Sequence, residues 1–194
     1  MLFLNNRSYI PKQNSLYYYE VDTSGNEYKI PKNSSAWIIN KESVSVKNWG
    51  VCFGKVIITI YGYIPPNRTA QINLKTYLPY INGCSTNNIL PPIRSGDPCM
   101  QLLKIPAGCS EQKHHIHSTD RVVYVLSGSG TAVSGVGSNI EKHKLVEGET
   151  LILDAMEPHH FETDDQDLIV VPMHIWSSTN DEFNHPMMLG THAV

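Results

Sequence analysis

The chain has 194 residues, 41% of them apolar and 17% charged, with a formal net charge of −3. That length suits one domain, or one domain with a long extension, and the apolar share is enough for a real core. No apolar run approaches the roughly 20 residues that cross a bilayer, and residues 1–6 lack the basic start and apolar length of a signal peptide, so a cytoplasmic protein without membrane contact is expected. Charge is spread unevenly: residues 1–95 hold ten Lys/Arg against four Asp/Glu, and residues 96–194 hold five against fourteen. The two parts are expected to attract each other, within one chain or across a homodimer. The basic residues are scattered singly rather than in runs, so no nucleic-acid partner is expected.

Taken in chain order, strand signals dominate. Val56 to Tyr61 is β-branched and apolar, and Pro65-Pro66-Asn67 ends it. Residues 71–80 alternate, with Ile72, Leu74, Thr76 and Leu78 on one face, and Asn82-Gly83 marks a turn. A turn-rich connector, Pro91 to Pro98, suggests a boundary. Further strands are predicted over Val122–Leu126, Thr150–Leu153 and Leu168–Val171. Ser127-Gly128-Ser129-Gly130 reads as a turn and not a phosphate loop, since no Lys-Ser/Thr pair follows. No long stretch has a helical period, so an all-β sandwich or barrel is expected. The division predicted is a β-rich extension over 1–95, packed on the barrel or on a dimer partner, a barrel over 96–176, and a tail over 177–194. A degenerate second barrel in the first part would lack histidine ligands.

Four cysteines, Cys52, Cys84, Cys99 and Cys109, form no Cys-x-x-Cys pair and read as reduced thiols. Cys109 lies close to the histidines and reads as an inert, buried residue more readily than as a ligand.

All nine histidines lie at position 114 or later. His115 and His117 are two apart, and on an extended strand such residues face the same way. Two imidazoles can then converge on one ion, at about 2.0–2.1 Å for zinc. His114 and Ile116 face the other way. A third ligand must come from elsewhere. The stretch Gly148 to His160 begins with a glycine turn and a strand and carries a His after Pro158. His159 is the preferred ligand there and His160 the alternative.

These residues resemble the cupin superfamily. Gly108, His115, His117, Tyr124-Val125-Leu126 and Gly128 are similar to its first motif, and Gly148 and His159 to its second. The resemblance covers about residues 96–176 and implies a jelly-roll β-barrel with a divalent metal inside, in the family usually iron, manganese, zinc, nickel or copper. There are two departures. The family's glutamate ligand falls at Arg121, which cannot donate a lone pair to a metal. The site therefore has three histidines, or takes Asp120 as its fourth ligand. The second motif's proline and glycine are replaced by Asp154 and Met156.

Arg121 has two readings of equal weight: a guanidinium inside the barrel gripping a substrate carboxylate, or an ion pair with Asp120 or another acid. Its charge beside the ion favours an anionic ligand. His174, in the last strand, can serve as acid or base at the barrel mouth, against a structural, hydrogen-bonded role. Asp154 is a candidate for orienting a ligand histidine. His143, His185 and His192 are assigned to the surface or tail. Three neutral imidazoles leave room for dioxygen and substrate, so an iron-dependent oxygenase acting on a small, anionic molecule leads. Its rivals are a non-redox lyase or isomerase with the ion as Lewis acid, and a non-catalytic ligand-binding module.

Overall fold

The computed structural model describes residues 1–4, 8–9, 17–111 and 113–176. The tail over 177–194, with His185 and His192, lies outside the described residues. Among them there is no α-helix. The architecture is all-β, and every strand pairing is antiparallel.

The histidine-bearing half is built around one 16-residue strand, Thr119–Ser134. Its first part sits between Thr150–Leu153 and Leu168–Trp176. Leu2–Leu4 extends that sheet on one side, and Cys99–Ile105, Ser85–Leu90 and Leu78–Pro79 extend it on the other. Its second part pairs instead with Glu141–Val146 and His159–Glu162. The strand therefore passes from one wall of a barrel to the other.

Ser127–Gly130, expected as a turn, is the place where this strand changes walls. The register slips between Val125 and Ser127. Gly128 has a φ of +82°, and a Cβ there would collide with the Asp167 carbonyl. A Cβ on Gly130 would crowd Glu162 and Leu168. Glycine permits a bend and a close backbone approach without ending the strand.

A second sheet comes wholly from the first half of the chain, in the order Ser8–Tyr9, Tyr19–Asp22, Val56–Tyr61, Ser34–Ile39, Ser43–Lys47 and Arg68–Gln71. It faces the barrel. Trp37, Ile39, Ile58 and Ile60 form one core with Met100, Val122, Tyr124, Leu126, Val171 and Met173 of the barrel's central strands. The intervening residues Val123, Val125, Leu151, Leu153 and Val170 turn the opposite way into the barrel, with Leu145 and Phe161. This follows from the two-residue period of a strand: the central strands are apolar on both faces because both faces are covered. Each such side chain contributes roughly 1.5–3 kcal/mol by leaving water. On the far face of the second sheet, Ile38 and Ile57 are covered by Cys52 and Tyr28 of the small Tyr28–Lys29/Val51–Cys52 pair.

The alternating segment 71–80 is not one strand. Regular pairing stops at Gln71 and resumes only at Leu78–Pro79. Side-chain amides take the backbone bonds between: Lys75 N donates to Asn73 Oδ1, Tyr77 N donates to Asn87 Oδ1, and Asn87 Nδ2 donates to the Lys75 carbonyl. Leu74 and Leu78 are each half exposed, so no buried face enforces the alternation.

Candidate metal centre

His115 and His117 lie on the irregular segment before the long strand, His115 in an isolated β-bridge with His159, and His159 opens the strand His159–Glu162. His115 N donates to the His159 carbonyl at 3.1 Å and His159 N donates back at 2.9 Å. This two-residue bridge sets the rings on one side. Met156 N, donating to the His117 carbonyl at 2.7 Å, ties the second motif to the first. Met156 has a φ of 64°. It therefore takes, at some cost, the left-handed conformation for which the resembling pattern uses glycine.

The ligand-capable atoms of His115, His117 and His159 all lie within 4.8 Å of one another. The Nε2 atoms of His115 and His117 are 2.7 Å apart. His115 Nδ1 is 2.9 Å from the Lys113 carbonyl, and His159 Nδ1 is 2.7 Å from the Glu157 carbonyl. A carbonyl accepts only, so each Nδ1 carries the proton and each Nε2 keeps its lone pair for the centre. His159 Nε2 is buried and has no partner. Burial, reinforced by the Arg121 charge, pushes His117 down to about 3. Burial pushes His159 down to about 4, partly opposed by its bond to Glu157. Neutral imidazoles with free, converging lone pairs are the donor set that a divalent cation of the zinc, iron, nickel or copper type takes. Asp154, a candidate for orienting these rings, is exposed. Backbone carbonyls do that work instead.

The neighbouring histidines face away. His114 Nδ1 is 2.8 Å from His160 Nδ1, and His160 Nε2 is 3.0 Å from Glu162. His159, not His160, completes the group. Asp120 stands outside it. Up to the register slip, the even-numbered residues Val122, Tyr124 and Leu126 face the second sheet, and the Asp120 carboxylate accepts from Tyr19 Oη at 3.2 Å and from Ala155 N at 2.8 Å. Cys109 is also outside the group and packs against the inner core. All four cysteines are free.

Arg121 shares the inward face with Val123 and Val125. Directly across the ladder from it is His174. Arg121 and His174 line a cavity of about 80 Å³ with Glu111, Gln101, Thr86 and Tyr80. Burial lowers the guanidinium to about 10, so it stays charged at neutral pH. Its charge bears on His115, His117 and His159 alike. The alternative of an Arg121–Asp120 ion pair is not what the structure has, because the two side chains leave the strand on opposite faces. Burial and Arg121 together lower His174 to about 3, so it stands neutral, and its Nε2 has no partner. That makes it a hydrogen-bonding group at neutral pH and a poor proton donor.

Glu111 was not legible as a site residue. It is 3% exposed, its Oε2 has no partner, and burial raises its carboxyl to about 7 against the pull of Arg121. It lies outside any regular strand, so no periodicity marks it. The only signal available was an acid between Gly108 and His115.

A family model described as "Cupin domain" matches residues 101–176. No curated protein sequence matches the chain. Among solved structures, the chain is similar to a Cupin 2 conserved barrel domain protein from Leptotrichia buccalis: 15% identity, TM-score 0.50, covering 87% of this chain and 88% of that one. It is also similar to the DMSP lyase DddQ from Ruegeria pomeroyi DSS-3: 17% identity, TM-score 0.43, 55% and 56% covered. A third is a predicted oxalate decarboxylase from Thermotoga maritima: 21% identity, TM-score 0.42, 48% and 80% covered. The alignment spans little more than half the length of the lyase. At these identities the likeness concerns the fold alone.

Proposed function

We propose that the protein, whose residues 101–176 match a cupin-domain model, is a metal-dependent enzyme acting on a small organic acid, with iron-dependent oxygenation as its leading chemistry. The observation that carries this is the convergence of three imidazoles whose Nδ1 protons, where a partner is defined, are already given to backbone carbonyls. His115, His117 and His159 would hold the ion. A bound ferrous ion would supply dioxygen chemistry, and a bound zinc ion Lewis-acid chemistry. Arg121 would hold the substrate carboxylate. Its buried charge next to the three histidines raises the cost of a cation there unless an anion lies between them, which supports an anionic substrate. His174, neutral and with a free Nε2, would orient that substrate by a hydrogen bond.

Elemental analysis of protein purified without a metal-binding tag tests the centre. About one metal per chain is expected, and a His115→Ala/His117→Ala variant should lose it. Full metal content in that variant would sink the reading. Turnover of small organic acids with ferrous ion, in air and under nitrogen, tests the chemistry. Dependence on air supports the oxygenase, whereas zinc-supported turnover indifferent to oxygen replaces it with a lyase or isomerase.

A further inference from the structure

Glu111 and Arg121, an acid and a base, line the same small cavity and are not joined by an ion pair. Glu111 Oε2 and Arg121 Nε are both buried without partners. A carboxylate and a guanidinium attract strongly where water is scarce, and leaving either buried and unpaired is costly. The fold holds them apart. Glu111 is anchored by its N–H to the Phe161 carbonyl at 2.9 Å, and Arg121 is pinned in the ladder between Leu153 and His174. Other polar groups of the wall are already committed. Thr86 Oγ1 donates to the Leu102 carbonyl at 2.7 Å, and Gln101 Nε2 donates to Asn88 at 3.0 Å.

We propose that this cavity binds a short zwitterion, its carboxylate on Arg121 and its cationic end on Glu111. The proposal rests on the reading that Arg121 takes a carboxylate and names the class of molecule that carries it. A simple carboxylate satisfies Arg121 and leaves Glu111 facing a second anion. A simple cation does the reverse. A molecule with both ends answers both groups, with His174 Nε2 beside it as a further hydrogen-bonding atom. The space is small, about 80 Å³. A short spacer therefore separates the two charges, as in a small amino acid.

Isothermal titration calorimetry on the full chain, carrying its metal as purified and at about pH 8, where the Glu111 carboxyl is ionised, tests this with propionate, 3-hydroxypropionate and β-alanine. β-Alanine should bind more tightly than propionate by about tenfold or more, the range of a hydrogen bond to a charged group. Glu111→Gln should abolish that preference, weakening β-alanine and tightening propionate, whose carboxylate then no longer faces a second anion. Equal affinity for all three probes overturns the zwitterion site and keeps the carboxylate reading of Arg121. Tighter binding of 3-hydroxypropionate than of β-alanine overturns the cationic arm. No binding of any probe overturns both readings. If Glu111→Gln does not fold, the wild-type comparison of the three probes decides.

Discussion

His115 and His159, far apart in sequence, exchange two backbone hydrogen bonds and so face each other across the end of the barrel. The site is thus built by the main chain first. Side-chain chemistry is added to a frame that does not depend on it, so single side chains in and around it can be changed with separable effects.

Asp120→Ala should leave metal content unchanged. Its carboxylate is held by Tyr19 and the Ala155 N–H on the side facing the second sheet. The loss should instead appear as a stability decrease of about 1–3 kcal/mol, because the buried groups it serves lose their acceptor. Elemental analysis beside a urea denaturation curve separates the two effects, and loss of the metal with stability intact would overturn the assignment.

Arg121→Met should tighten metal binding and weaken carboxylate binding together. Removing the guanidinium takes away a positive charge that bears on all three imidazoles. It also removes the one cationic side chain among the described residues that line the cavity. A several-fold gain in a chelator competition, with at least about tenfold weaker propionate binding, is expected.

The pH dependence of Glu111 has a definite sign. Burial raises its carboxyl from 4.5 to about 7 in the folded protein. The folded chain therefore keeps a proton that the unfolded chain releases. The stability from that proton is fully present below about pH 4.5 and is lost as pH rises to 7. His174 acts in the opposite direction. Lowered from 6.5 to about 3, it costs stability as pH falls through that window. Metal-free Glu111→Gln should therefore gain on wild type between pH 5 and pH 8, by up to about 3 kcal/mol. Parallel melts that keep a constant offset at the two pH values would contradict it.

Two backbone positions should respond with opposite signs. Gly128→Ala places a Cβ against the Asp167 carbonyl at a φ of +82° and should destabilise by more than about 2 kcal/mol. Met156→Gly relieves a left-handed methionine and should stabilise by up to about 1 kcal/mol. Denaturation midpoints at constant m-value check both.

The sequence by itself determined the all-β class, the pairing of His115 with His117, and the central strands. These depend on local period and on residue types whose chemistry is the same wherever they sit. It marked His159 through its place after a glycine turn and a proline. Tertiary structure alone decided the rest. Strand parity could not pass through the irregular residues after His117, so the choice between Asp120 and Arg121 needed the ladder that turns one toward the second sheet and the other into the barrel. The alternation of residues 71–80 misled because nothing buries one of its faces. Ser127–Gly130 bends a strand and does not end it, because another backbone runs close beside it. Glu111 became visible only when the chain brought a carboxyl from an irregular segment opposite the guanidinium of Arg121, since burial and charge are properties of neighbours in space.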